Sequence, residues 1–100
     1  MHLLDCKICK RLNHHLVELK KIYPTYHCRP VEGSGNLRSK ICIVGLAPGL
    51  HGANKTGVPF TNDFSGNIIR QLLKCYNSDL VYITNILKCY PPKNKPYKSE

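Results

Sequence analysis

Three cysteines in this chain have the setting of metal ligands. Cys6 and Cys9 form a C-x-x-C pair near the start of the chain, and Cys89 lies in a polar, proline-rich segment near its end. Three such thiols suit an iron–sulfur cluster if a fourth ligand is available. Cys28 lies in a predicted connector, where it is either a further ligand or unrelated to metal binding.

A redox pair and a zinc site are two other interpretations of the cysteines, and both fit the sequence less well. A thioredoxin-type pair follows a strand inside an α/β unit, whereas this pair stands at the chain start. A zinc site requires a second close pair, which the sequence lacks. Spacing alone leaves metal binding and unrelated free thiols both open. Cys42 and Cys75 fall on a predicted strand and a predicted helix, so we expect them to be small core residues.

A glycine-rich loop holds further residues that could do chemistry. Residues 45–67 contain five Gly and two Pro, together with the ionisable His51 and Asp63. Long loops in compact chains are uncommon and are often functional. The alternative roles are turn formation and helix capping for Asp63, and local backbone bonding for Asn85 further along.

A phosphate-binding loop is disfavoured. Residues 49–56 nearly match G-x-x-x-x-G-K-[ST] and follow a predicted strand. However, Asn54 replaces the second glycine. The motif also requires a helix to open at its Lys-Thr pair, and here Gly57, Pro59 and no apolar periodicity follow.

Apolar periodicity predicts two helices. The first spans residues 6–22 with Asp5 as its N-cap, and its stripe is Ile8, Leu12, Leu16, Leu19 and Tyr23. The second begins at Asp63 or Ser65 and ends at residues 77–78, with a stripe of Ile69, Leu72, Leu73 and Tyr76.

Two apolar runs predict strands. Residues 41–45 read as a buried strand, and residues 80–87 as a second one, with the connector 24–39 before them. Strand, helix and strand form a right-handed βαβ unit with parallel strands. Ligands of such sheets bind beyond the carboxyl ends of the strands. The 45–67 loop and Asn85 should therefore meet at one edge of the sheet.

Bulk properties restrict the class of protein. One hundred residues make one domain at most, and the formal net charge is +9. Such a charge favours a nucleic-acid partner, although the excess of Lys over Arg also fits an AT-rich genome. No apolar run approaches a membrane span, and the first six residues do not resemble a signal peptide. We therefore expect a cytoplasmic protein with no membrane partner.

The segment from Gly45 to Asp63 closely resembles the first signature of the family 5 (B-type) uracil-DNA glycosylases. It reads Gly-Leu-Ala-Pro-Gly-Leu-His-Gly-Ala-Asn-Lys-Thr-Gly-Val-Pro-Phe-Thr-Asn-Asp. Residues 26–33 and 84–96 are similar to that family as well. The resemblance covers nearly the whole chain, and the loop signature is long and specific.

The resemblance implies a three-layer α/β/α fold with a four-stranded parallel sheet and a [4Fe–4S] cluster. Within one partial domain over residues 1–100, the iron–sulfur helix would occupy residues 1–23, the active-site loop 45–67 and the second strand 80–87. Cys6, Cys9 and Cys89 match three cluster ligands. The fourth, and a His-Pro-Ser-type loop, would lie past the end of this sequence, so we expect an N-terminal half.

The resemblance also implies roles at the site. Phe60 matches the aromatic residue that stacks on a flipped base, Asn85 the amide that reads the uracil edge, and Asp63 the acid that positions water or steadies the sugar cation. His51 and backbone N–H groups of the loop would stabilise the departing base. Gly45, Ala47, Pro48 and Gly49 complete the implied substrate site.

Two positions depart from related patterns. Leu46 stands where family 4 relatives carry a Glu, as it does in family 5, so no acid is available there. Asn62 replaces a usual Gly beside Asp63, which affects how the carboxylate is aimed.

Three hypotheses follow for function. The first is a monofunctional N-glycosylase that removes uracil and other deaminated bases from DNA, with this chain inactive or nearly so by itself. A second chain would then supply the C-terminal half. The second is a non-catalytic remnant with weak affinity for DNA. The third is a small redox or zinc module built on Cys6 and Cys9.

Overall fold

A computed structural model describes residues 2–75 and 80–94. It contains the helices α1 (Lys10–Ile22), α2 (Ala53–Thr56) and α3 (Phe64–Leu73). Its strands are β1 (Ser34–Gly35), β2 (Ile41–Gly45) and β3 (Val81–Asn85), and they form one sheet in the order β1-β3-β2. Within the described ranges, no helix is long and apolar enough to cross a bilayer.

The predicted parallel pairing is confirmed. β2 runs parallel to β3, with Gly45 opposite Asn85 at their carboxyl ends. The ladder continues beyond both strands, because the Ile86 N–H donates to the Gly45 carbonyl at 2.9 Å and the Leu87 N–H to the Leu46 carbonyl at 2.9 Å. The 45–67 loop and Asn85 therefore meet at one sheet edge, as predicted.

The start of the first helix was predicted four residues too early. α1 begins at Lys10 after Cys9, and no side chain caps it. Asp5 lies instead in a short 3-10 turn, and its carboxylate pairs with the Arg29 guanidinium at 3.0 Å. Ile8 lies outside the helix and is exposed. The buried stripe of α1 is Leu12, Leu16 and Leu19.

The predicted loop contains two helical segments. α2 forms one turn at residues 53–56 and ends at Gly57, whose φ of 80° lies in the left-handed region that glycine favours. α3 then begins at Phe64 with Asp63 as its N-cap, one of the two predicted caps. The predicted end of this helix at residues 77–78, and Tyr76 in its stripe, lie outside the described residues.

Burial of the first strand was predicted wrongly. Ile41 and Val44 of β2 are 46% and 53% exposed, because β2 is an edge strand in the described sheet. Cys42 and Cys75, expected in the core, are both exposed. β3 lies between the other two strands, and its Val81 and Ile83 are buried. The two-residue strand β1, antiparallel to β3, was not predicted.

A half-buried histidine on α1, His15, leads to a prediction about stability. The pKa of His15 is lowered, first by burial and then by the nearby charges of Arg11 and His14. Since its pKa in the folded chain lies below the unfolded value, the unfolded chain takes up the proton first as the pH falls. The free energy of unfolding should therefore decrease as the pH drops below about 6.5.

Chemical unfolding at about pH 7.5 and about pH 5 measures this effect. The His15→Phe variant keeps a ring against Tyr90, which lies 5.6 Å away between centroids, and should lose part of the pH dependence. His2→Gln, which removes an exposed histidine that precedes α1, is the control. An unchanged pH dependence in His15→Phe would contradict the assignment.

Candidate active site

A cavity of about 290 Å³ opens at the carboxyl ends of β2 and β3. Its walls come from three places in the chain: the end of β2 with the loop behind it, the start of α3, and the last residue of β3. The lining residues are Leu46, Ala47, Pro48, Gly49, Ala53, Phe60, Asp63, Ser65 and Asn85. The structure thus places most of the predicted substrate-binding residues around one space.

Gly45 allows a ring and an amide to approach the end of β2. A Cβ on Gly45 would lie 2.4 Å from the Phe60 Cζ and 2.5 Å from the Asn85 Oδ1. Both distances are shorter than any ordinary contact, so only glycine fits without movement. Asn85 itself is 5% exposed. The predicted stacking residue and the predicted base-reading amide therefore lie side by side against bare backbone.

The two carboxylate oxygens of Asp63 have different surroundings. Oδ1 accepts a hydrogen bond of 2.7 Å from the Gly66 N–H, which caps α3. Oδ2 lies toward the loop, 2.9 Å and 2.4 Å from the positions that a Cβ on Gly49 or Gly52 would occupy. One oxygen thus fixes the side chain to the helix, and the other faces the loop that lines the cavity.

The segment that carries Phe60 has a constrained backbone. Phe60 and Asn62 have φ values of 56° and 59°, in the left-handed region that non-glycine residues rarely adopt. Arg70 of α3 secures this segment. Its Nη2 donates to the Pro59 carbonyl at 2.7 Å and its Nε to the Phe60 carbonyl at 3.2 Å. Sequence reasoning missed Arg70, because its partners are backbone atoms ten and eleven residues earlier.

Removing the guanidinium of Arg70 tests this clamp. Arg70→Met should lower the free energy of unfolding by about 2 kcal/mol, because two hydrogen bonds from a charged donor are lost. It should also shift the NMR signals of the Phe60 ring. Lys74→Met, at the residue that directly follows α3, is the matched control. If the Phe60 signals of Arg70→Met stayed in place, the clamp would have no influence on the ring.

Asn62 is suited to the glycine-like position that it occupies. Asn tolerates the left-handed region better than other side chains, and its Nδ2 donates to the His51 carbonyl at 2.7 Å. The replacement of Gly thus adds a tie across the loop.

His51 does not line the cavity. It lies on the loop between Gly49 and Ala53, which do, and its ring is directed toward Tyr26, whose hydroxyl is 2.8 Å from its Nδ1. The side chain is exposed. The structure therefore separates His51, which was predicted to stabilise the departing base, from Asp63 and Asn85.

Asn54 anchors the loop from inside. It is fully buried, and its Nδ2 donates to the Leu50 carbonyl at 3.3 Å and to the Cys28 sulfur at 3.5 Å. Backbone bonds join the same regions, from the Cys28 N–H to the Asn54 carbonyl and from the His27 N–H to the Lys55 carbonyl, each 3.0 Å. The position that departs from the phosphate-loop pattern thus has a structural role.

The three predicted cluster ligands influence one another. Burial and, to a smaller extent, the charges of Cys6 and Cys9 together raise the pKa of Cys89 to about 11. The three thiols are therefore close enough to interact electrostatically. All six cysteines are free thiols. However, in residues 2–75 and 80–94 no group of three or more His, Cys, Asp or Glu side chains has an arrangement that could hold a metal. The donor chemistry fits three corners of an iron–sulfur cluster, without a preformed site.

A larger cavity of about 400 Å³ lies elsewhere, between α3, β1 and the amino-terminal part of β3. Among the residues that the structure describes, its lining includes Arg70 and Lys74 but no carboxylate, thiol or imidazole. We therefore place the candidate active site at the smaller cavity.

Residues 32–100 match the family model described as the uracil DNA glycosylase superfamily. The chain belongs to this superfamily. Among curated relatives, it is 38% identical to a type-5 uracil-DNA glycosylase of Thermus thermophilus and 36% identical to one of Pyrobaculum aerophilum, each over 98% of this chain. It is also 40% identical to a type-4 uracil-DNA glycosylase of Archaeoglobus fulgidus over 65% of this chain.

These comparisons confirm the resemblance to family 5, and the α/β class with parallel pairing agrees with a uracil DNA glycosylase fold. The chain spans about half the length of the two type-5 relatives, 53% for Thermus thermophilus and 52% for Pyrobaculum aerophilum. It spans 33% of the type-4 relative.

Proposed function

We propose that the chain carries the base-binding site of a DNA repair N-glycosylase that excises uracil from DNA. The observation that carries the proposal is the convergence of Phe60, Asn85 and Asp63 on one cavity at the carboxyl ends of two parallel strands. An aromatic ring, an amide and a carboxylate supply stacking, edge recognition and charge. Other deaminated bases with a similar edge form a second substrate class.

Base recognition rests on two side chains. The target base leaves the helical stack and enters the cavity, where the Phe60 ring offers a stacking surface. The Asn85 amide carries a donor and an acceptor, which match O4 and N3–H of uracil. Cytosine presents an amino group and a bare nitrogen at those positions, so it would leave both amide groups mispaired.

Hydrolysis breaks the bond between C1′ and N1. The bonding electron pair leaves with N1 of uracil, and positive charge develops on the sugar. A water oxygen then bonds to C1′, and its proton passes to the Asp63 carboxylate or to solvent. The uracil anion takes up a proton on release, so the products are free uracil and an abasic site. Asp63 Oδ2 supports the sugar cation and orients the water.

The departing base also requires donors. Ala47 and Gly49 line the cavity, and their backbone N–H groups are candidates for the negative charge that develops on uracil. The proposed role of Gly45 is steric, because it admits Phe60 and Asn85. Pro48 is also given a steric role, since it has no backbone N–H to donate. The exposed side chain of His51 favours a contact outside the cavity.

Binding and cleavage assays test the proposal separately. Fluorescence anisotropy compares duplexes that contain one uracil with matched thymine duplexes, and a single-turnover assay measures release of uracil. We expect preference for the uracil duplex and its loss in Asn85→Ala and Phe60→Ala, with Lys74→Ala as control. Equal affinity of the wild-type chain for both duplexes would overturn the proposal.

We further propose that Cys6, Cys9 and Cys89 hold three corners of a [4Fe–4S] cluster. When bound, the cluster would link the segment before α1 to the segment after β3, which is a structural role. Anaerobic reconstitution followed by iron analysis and visible absorption tests this. Cys89→Ser should lose most of the iron. Cys75→Ser, which replaces an exposed thiol just after α3, should not. Retention of iron in Cys89→Ser would contradict the ligand set.

The open edge of β2 favours a partner chain. Parallel sheets are normally covered and extended, yet β2 is an edge strand with exposed apolar residues. A second chain that supplies the C-terminal half of the fold would cover this edge and could supply a fourth cluster ligand. The six free thiols suit a reducing cytoplasm.

Weak DNA binding without catalysis is the second candidate function, and uracil-independent binding would identify it.

A further inference from the structure

A cluster of aromatic and basic residues surrounds His51, which stands in the chain between the cavity-lining residues Gly49 and Ala53. We define this rim cluster as Tyr23, Tyr26, His51 and Lys55. The rings of Tyr23 and Tyr26 stack at 4.5 Å, and His51 meets them edge-on at 5.6 Å and 5.8 Å. Lys55 Nζ lies 5.4 Å from the centre of the Tyr26 ring. The cluster joins the carboxyl end of α1 to the loop.

We propose that the rim cluster binds a phosphodiester group of the DNA strand, with a neutral His51 as hydrogen-bond donor and Lys55 as cation. The inference rests on the proposed function only in taking DNA as the ligand. His51 stands between Gly49 and Ala53, which line the cavity, while its own side chain is exposed. A nucleotide whose base fills the cavity must leave its phosphates near this rim. The net charge of +9 favours a polyanion there.

Tyr26 is the positioning residue of this contact. Its hydroxyl lies 2.8 Å from His51 Nδ1. In this proposal the hydroxyl donates and Nδ1 accepts, because the Lys55 cation over the ring makes the phenol a better donor. This fixes the proton of the neutral imidazole on Nε2, the nitrogen that faces away from Tyr26. Asn62 holds the same residue from the other side through the His51 carbonyl. The ring is thus oriented before DNA arrives.

Nitrogen-15 NMR of the His51 ring in the full chain tests the orientation without any activity. At about pH 8, where an ordinary imidazole is neutral, the wild-type chain should show the proton on Nε2. Tyr26→Phe should give a mixture of both tautomers. A proton on Nδ1 in the wild-type chain, or no change in Tyr26→Phe, would overturn the positioning role.

DNA binding at several salt concentrations tests the phosphate contact. His51→Ala should weaken binding about tenfold, equally for uracil and thymine duplexes, and should leave the salt dependence unchanged because a neutral donor releases no counterion. Lys55→Gln should lower the slope of log K against log salt by about one. Lys74→Gln, beside the amino-terminal end of β3, is the control and should have little effect.

The outcomes separate this proposal from the glycosylase proposal. A loss in His51→Ala confined to the uracil duplex would indicate a base contact and overturn the phosphate contact. Absence of measurable DNA binding by the wild-type chain would overturn it as well. If the variant effects appear but no uracil is released, the rim contact stands and the glycosylase proposal fails.

Discussion

Asp63→Asn is expected to abolish the residual uracil release of the wild-type chain, while the fold remains as stable as in the wild type. The Asn amide oxygen can still accept from the Gly66 N–H, and Asn is as good an N-cap as Asp. The variant lacks the negative charge of the carboxylate, whose Oδ2 lies next to Gly49 and Gly52 of the loop. Loss of a group that positions water and supports a cation costs about 10² to 10⁴ in rate.

Asp63→Ala separates the two functions of the carboxylate. It removes the cap as well as the charge, so we expect the free energy of unfolding to fall by about 1 kcal/mol. Urea unfolding measures the cap, and single-turnover release of uracil measures the charge. Ser65→Ala is the control, because Ser65 also lines the cavity but does not cap α3. Wild-type rates in Asp63→Asn would rule out a catalytic charge at this position.

Gly45→Ala should remove most of the uracil affinity. The added methyl would lie 2.4 Å from the Phe60 ring and 2.5 Å from the Asn85 amide oxygen, so both recognition groups must move. Because stacking and edge recognition are lost together, we expect a loss of about 100-fold or more for the uracil duplex. Binding of the thymine duplex, which depends on phosphate contacts, should change little.

Gly33→Ala provides the matched control. Its added methyl would lie 1.9 Å from the Tyr82 hydroxyl oxygen, outside the residues that line the cavity. Both variants carry a steric cost, and urea unfolding measures it for each. Only Gly45→Ala should discriminate between the two duplexes. If Gly33→Ala lost uracil preference to the same extent, the effect would reflect general destabilisation.

The sequence predicted the sheet edge well because strand pairing follows from simple patterns. Two β-branched runs separated by a helix favour a parallel crossover, and this brings the loop that starts at Gly45 to the same sheet edge as Asn85. Asp63 was also predictable, since a capping residue before an apolar stripe marks a helix start. The helix start near Cys9 was missed because Ile8 has helical spacing to Leu12. This spacing is a coincidence, since Ile8 lies outside the helix and is 72% exposed.

Side-chain direction within the loop could not be predicted. His51 and Asp63 lie in the same glycine-rich segment, yet one side chain faces Tyr26 and the other lines the cavity. The orientation of His51 depends on a contact with a distant part of the chain, the Tyr26 hydroxyl, whereas that of Asp63 depends on the nearby Gly66 N–H. β1 was missed for a different reason, because two residues are too few for any periodic signal.

The anchoring of the loop has a consequence for the thermodynamics of ligand binding. Asn54 and the backbone bonds from residues 27 and 28 hold its middle, and Arg70 holds its end. The segment is therefore ordered before any base arrives, and its conformational entropy is lost on folding rather than on binding. Uracil should meet a preorganised receptor, in which selectivity comes from fixed complementarity instead of loop closure.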